Sequence, residues 1–184
     1  MKTFLSLSTL VCLGLLAMTP RVLAEDGPSE ADLLDLKREV PEVIASFKKA
    51  DSTFGSFIDK AAGYAVLPKI AKGGFVVGGA RGTGLVYSKG QLVGHVTMTQ
   101  ATVGAQIGGQ SFSEVIFFET ADALKEFQKS GFAMSAQVGA VAAAEGVAKN
   151  AKYQQGVAVM TLARSGLMAE ASVGGQKFTY VPIK

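Results

Sequence analysis

Cysteine, histidine and tryptophan are nearly missing from this 184-residue chain, which has one Cys, one His and no Trp. A single cysteine closes no intramolecular disulfide and builds no thiolate metal cluster. Cys12 stands inside an apolar run, and Val11 before it is not the small residue that precedes a lipoprotein cysteine, so it reads as an ordinary apolar side chain. His95 would have to serve alone as the base of any serine triad, and no serine sits in a Gly-x-Ser-x-Gly elbow. A histidine-based metal site would have only carboxylates for partners. Glu114 and Glu119 lie five apart in a strand-like stretch, so they point to opposite faces and do not pair as acid and base. Gly79-Ala80-Arg81-Gly82-Thr83-Gly84 has the glycines of a phosphate loop, but it runs into strand-like Leu85-Val86-Tyr87 and lacks the Gly-Lys-Ser/Thr ending. The residues therefore offer no visible catalytic machinery, metal site or cofactor motif. Serine–lysine chemistry stays open, with nothing pointing to it.

Long apolar runs are scarce too. One of 15 residues, Phe4 to Met18, falls short of the ~20 needed to span a bilayer. Lys2 precedes it, Pro20 breaks it, and Val22-Leu23-Ala24 supplies a cleavage site, so residues 1–24 read as a secretory signal, with an uncleaved anchor as the alternative. The expectation is an exported protein of the periplasm or cell envelope, peripheral to the membrane. Cleavage leaves 160 residues, one domain by length, and removes Cys12, which suits an oxidising compartment. It also removes Lys2 and Arg21, leaving 16 bases against 15 acids. Those charges divide unevenly. Residues 25–59 carry −5 and residues 60–184 carry +6. An acidic leader on a basic body suggests an anionic partner for the body, the alternative being a solvated surface that balances itself. A mature net charge of +1, without aromatic–basic interleaving, argues against nucleic acid.

After a polar leader (25–34), Leu36, Val40, Val43, Ile44 and Phe47 follow a helical period. Pro41 inside it either kinks the helix or starts a second one. A further helix is expected from Ser52, with Phe54, Phe57, Ile58 and Ala61 on one side and Gly63 ending it. Then the pattern changes: eleven glycines fall between Gly73 and Gly109, among β-branched residues. Strands are expected over 74–79, 85–87, 96–100, 101–107, 114–119, 132–138, 156–163, 167–173 and 177–181, with a Thr120-capped helix from Ala121 to Gln128 and an ambiguous stretch from 140 to 151. Arg164-Ser165-Gly166 and Gly174-Gly175 read as hairpin turns of a closing meander. The fold class is α+β: N-terminal helices, then roughly eight to ten short strands in a curved, mostly antiparallel, Gly-rich sheet or partial barrel. A membrane β-barrel fits less well, because several aromatics that would form its girdles fall on the expected helices.

Lys60, Lys69, Lys72 and Arg81 bracket the helix-to-strand junction among apolar residues. Each such cation near an anionic membrane surface contributes about 1 kcal/mol, so the four are candidate lipid-binding residues; ordinary solvated side chains are the alternative.

Three ordered blocks carry a family resemblance. The first is Ala62-Gly63-Tyr64-Ala65-Val66-Leu67-Pro68-Lys69, continued by Lys72 to Ala80 and Gly82-Thr83-Gly84. The second is Val103-Gly104-Ala105-Gln106-Ile107-Gly108-Gly109-Gln110 with Glu114 to Phe118, and the third is Ala163 to Ala169 with Gly174-Gly175. Together they resemble the SYLF domain over residues 35–184, in its bacterial exported branch, related to the actin-binding SYLF domain of yeast. The resemblance implies a non-enzymatic lipid-binding module. Eukaryotic members bind phosphoinositides, and one branch binds actin filaments. Of the family's basic positions, Lys69, Lys72 and Arg81 are matched here. Gly94-His95 stands where the family often has tryptophan, and the N-terminal segment is acidic. Combined with the export signal, the expected partner is an anionic phospholipid or membrane surface rather than actin. An envelope structural or interaction module with a protein partner is the alternative.

Overall fold

The computed structural model describes residues 28–129, 131–134, 140–142, 152–173 and 175–183. The expected export signal, Cys12 and most of the ambiguous 140–151 stretch lie outside the described residues.

Helix α1 (Glu30–Ala50) begins at a capping box: Asp32 N donates to the Ser29 hydroxyl, and Ser29 N donates to the Asp32 carboxylate at 2.9 Å. Glu30 and Asp32 lie in its first turn and Lys48 and Lys49 in its last, matching the helix dipole. Leu36, Val40, Val43 and Phe47 are buried on one face, as their spacing predicts. Pro41 neither ends nor restarts the helix; it sits on the exposed side of one continuous element. The lost hydrogen bond costs about 3 kcal/mol, and each buried large apolar side chain on the opposite face returns about 1.5–3 kcal/mol. Asp51 closes α1, its carboxylate accepting from Thr53 N and Oγ1 at 2.9 and 2.6 Å, and α2 (Gly55–Lys60) follows.

The expectation of many short strands is corrected by two very long ones, β1 (Gly63–Ser88) and β2 (Gln91–Phe118), paired antiparallel along their whole length. After α3 (Ala121–Phe127), capped by Thr120 as expected, come β3 (Phe132–Met134), β4 (Ala140–Ala142), β5 (Val157–Val173) and β6 (Gln176–Pro182). β2 is the spine of the six-stranded sheet. One edge carries β1; the other carries β6 against 94–100 and β5 against 103–118. All pairings are antiparallel except β4 with β5.

Two hairpin expectations fail for one reason. Arg164 and Ser165 lie inside β5, where the register against β2 shifts between Ser111 and Phe112, so the polar triplet is a bulge and not a turn. β5 and β6 do not pair with each other. Val103↔Val173 and Gln100↔Gln176 keep one register, so the two strands follow one another along the same edge of β2. β1 bends at the same level: Val76 adopts φ 64°, and a Cβ on Gly74 would lie 2.4 Å from Gly78 Cα. The result is one ribbon folded once. Its halves meet where a Cβ on Gly84 would stand 2.2 Å from Val66 O, a close approach only glycine permits.

Folding the ribbon buries alternating residues on two sides. Leu67, Ile70, Val96, Met98, Ile116, Phe118 and Phe178 form an inner core plugged by Leu124 and Phe127 of α3. Val66, Leu85, Val115, Phe117 and Met160 form an outer core beneath α1 and Phe54. The runs Tyr64–Leu67 and Val115–Phe118 are apolar without interruption because their strands are covered on both faces. The sheet is curved but not closed, and the α+β class holds.

Candidate functional site

The bend of the ribbon puts large apolar side chains into water. Phe75 is 71% exposed, Val77 and Val103 65%, and Ile107 59%. Phe75 lies directly opposite Ile107 and Val77 opposite Val103, so each cross-strand pair presents its side chains together. Val76, between them, occupies the left-handed region that a β-branched residue seldom adopts. Lys72 is half-buried on β1 opposite Gln110, three residues before Phe75.

A second feature lies between the N-terminal half of α1 and the sheet. There a cleft of about 450 Å³ opens between opposite charges. The helix side presents Asp32, Asp35 and Glu39, whose spacing of three and four puts them on one face. The sheet side presents Lys69, Arg81 and the register partners Thr83 and Thr97. Lys69 stands in the β1 bulge between Leu67 and Ile70. The Pro68 carbonyl in that bulge accepts from Ser113 Oγ at 2.6 Å and from Arg164 Nη1 at 2.7 Å. The Ser29 hydroxyl and N–H hold the Asp32 carboxyl below the usual carboxylate range. Asp35 pairs with Arg38 at 2.8 Å. Among the described residues, neither Lys69 nor Arg81 comes within 4.0 Å of a carboxylate oxygen.

Of the four cations singled out in the sequence, Lys69 and Arg81 thus share one cleft, Lys72 sits nearer the bend, and Lys60 is exposed at the last residue of α2. The facing carboxylates and the apolar bend were not singled out. The split of charge between 25–59 and 60–184 was the available signal for the first, and the run Phe75-Val76-Val77 between glycines for the second.

Two buried titratable groups lie elsewhere. Burial pushes Glu114 up to about 7, with a Gln176 hydrogen bond acting in the opposite sense. Burial lowers His95, whose Nδ1 has no hydrogen-bond partner among the described residues, and it stands on β2 opposite Leu85 and Val181. Among the described residues no helix is long and apolar enough to cross a membrane.

The described residues thus combine a curved sheet, a helix across one face, an apolar bend and a charged cleft. Residues 99–180 match the family model described as Ysc84: Las17-binding protein actin regulator, a region that contains the second and third of the sequence blocks resembling the SYLF domain, while the first, 62–84, lies outside it. The chain is also 32% identical over 121 residues to Beta cell expansion factor A of Aeromonas veronii, an alignment that covers 65% of this chain and 46% of that protein. The chain thus spans about half the length of that relative. The matched family region takes in β5 and β6 as far as Tyr180 but stops short of α1 and β1, so every residue named above as lining the cleft lies outside it.

Proposed function

We propose that this chain is a non-enzymatic phospholipid-binding protein of the cell envelope that docks on an anionic membrane surface through the bend of its folded ribbon. The observation that carries the reading is the exposure of Phe75, Val77, Val103 and Ile107 as two cross-strand pairs at one end of the sheet. Exposed side chains of this size gathered at one place mark an interaction surface. Fully burying each is worth about 1.5–3 kcal/mol. The basic body, +6 over residues 60–184, supplies attraction to an anionic leaflet, with Lys72 closest in sequence to the bend. The export signal read in residues 1–24 supports an envelope location.

The family description names a protein ligand, which supports a second reading: a module holding a protein partner on the same bend. Co-sedimentation with phosphatidylglycerol-containing vesicles separates the two. The lipid reading expects binding that survives high salt in part and falls about tenfold or more in a Phe75→Ser/Ile107→Ser double variant. Absence of vesicle binding by the unaltered chain, at low and high salt alike, rules it out. Cell fractionation tests the location.

A further inference from the structure

The cleft under α1 is separate from the apolar bend. Opposite charges normally close on one another at a helix–sheet contact. Here Glu39 on the helix and Lys69 and Arg81 on the sheet have no ion-pair partner within 4.0 Å among the described residues, and about 450 Å³ of space lies between the two sides. That volume falls within the range of small-ligand pockets, about 300–1,000 Å³. The two walls differ in chemistry. On the sheet side, a guanidinium, an ammonium and the facing hydroxyls of Thr83 and Thr97 are all donors, a set suited to the several oxygens of a phosphate. On the helix side, carboxylates offer only acceptors. No aromatic residue lines the space, so nothing there forms the cage that recognises a quaternary ammonium. Carboxylates instead accept N–H donors, which a primary ammonium has and a choline lacks.

We infer that this cleft binds a small zwitterion carrying a phosphate and a primary ammonium, the phosphate on Lys69, Arg81 and the threonine pair, the ammonium on Glu39 and Asp35. Phosphoethanolamine is the simplest example. It occurs both as a free solute and as the headgroup of phosphatidylethanolamine. The placement of Lys69 is built in, because Ser113 and Arg164 fasten the bulge beside it. The site does not rest on the membrane reading of the bend, and no residue of the bend lines it.

The test is calorimetric titration of the full chain with phosphoethanolamine, inorganic phosphate and ethanolamine in turn. Saturable binding of phosphoethanolamine is expected, with phosphate and ethanolamine each about tenfold or more weaker. Arg81→Gln should weaken phosphoethanolamine by about tenfold, while Glu39→Gln should erase its advantage over inorganic phosphate. Thr83→Val, which alters no charge, guards against a variant that merely loosens α1, and it should weaken binding with the thermal midpoint unchanged. Equal affinity for phosphate and phosphoethanolamine in the unaltered chain, indifference to both charge variants, or no saturation below about 10 mM would overturn the site. A vesicle arm identifies the source. Stronger binding to phosphatidylethanolamine than to phosphatidylcholine vesicles, lost in Glu39→Gln, assigns the headgroup; free-ligand binding without that difference assigns a solute. Phe75→Ser should leave the free-ligand titration unchanged, so failure of the bend and failure of the cleft are read separately.

Discussion

Gln176 Nε2 donates to Glu114 Oε2 at 3.0 Å between β6 and β2, and it is the only hydrogen bond to that fully buried carboxyl among the described residues. Among the described residues, Glu114 Oε1 and Gln176 Oε1 are both left without a partner. Two orphan acceptors in a core are costly, and a proton on Glu114 Oε1 converts one of them into a donor. Burial therefore keeps the group neutral in the folded state up to about 7, against 4.5 for an unhindered glutamate. Through this group the folded chain binds more protons than the unfolded one between those values, so the contribution of Glu114 to stability is full below pH 4.5 and falls as pH rises toward and through 7, while buried His95 acts in the opposite sense. The loss levels off above pH 7 at an order of magnitude of about 3 kcal/mol. Urea melts of the unaltered chain at pH 5 and pH 8 should differ in this sense, and Glu114→Gln should flatten the difference and be the more stable form at pH 8. A Glu114→Gln variant with the same pH dependence as the unaltered chain contradicts this account.

Much of the helical part was legible because its signals are local. The Leu36–Val40–Val43–Phe47 spacing and the Thr120 cap each lie within a few turns, and both are realised. The class of the fold was legible as well. The strand count was not, because a glycine- and serine-rich triplet such as Arg164-Ser165-Gly166 looks the same as a turn and as a bulge; only the partner strand decides. Pro41 was ambiguous because its outcome depends on whether its face of α1 meets solvent, which is a tertiary fact. The cleft was half legible. Lys69 and Arg81 were noticed as cations, but their facing carboxylates come from a segment 30 to 50 residues away and meet them only once α1 lies across the sheet.

The crossing of the folded ribbon makes a sharp prediction about glycine. A Cβ at Gly84 would meet the Val66 carbonyl at 2.2 Å, backbone against backbone, with no flexible side chain to give way. Gly84→Ala should therefore destabilise by about 1–3 kcal/mol through forced separation of the two halves. Gly79→Ala is the matched control in the same strand, since its Cβ would lie 3.4 Å from Gln100 O, near ordinary contact. Denaturant midpoints should fall in the first variant and barely move in the second. Equal effects would mean that strand propensity, and not the crossing, decides.

The absence of tryptophan makes the bend directly observable. Phe75→Trp introduces one fluorophore where the exposed ring now stands, and Leu34→Trp places another on α1, where the side chain is 62% exposed. With phosphatidylglycerol vesicles the first should shift to the blue and be quenched by brominated acyl chains, while the second should stay at its aqueous emission. Quenching at position 34 without quenching at 75 would place the helix, and not the bend, against the bilayer.

The Pro68 carbonyl joins three distant parts of the chain, since Ser113 Oγ comes from β2 and Arg164 Nη1 from the β5 bulge. Each bond contributes a modest amount alone because the other still satisfies the oxygen. Ser113→Ala and Arg164→Gln should each cost about 1 kcal/mol. Removing both leaves a buried carbonyl without a partner, which adds a desolvation penalty of about 1–3 kcal/mol absent from either single variant. A double-mutant cycle should therefore show a combined loss larger than the two single losses added together, by about 1 kcal/mol or more. Because Lys69 follows Pro68 in the same bulge, the double variant should also weaken phosphoethanolamine binding even though neither side chain is proposed to touch that ligand. Strict additivity in the melts would mean that the two donors act on the bulge independently, and unaltered ligand affinity would mean that Lys69 holds its place without them.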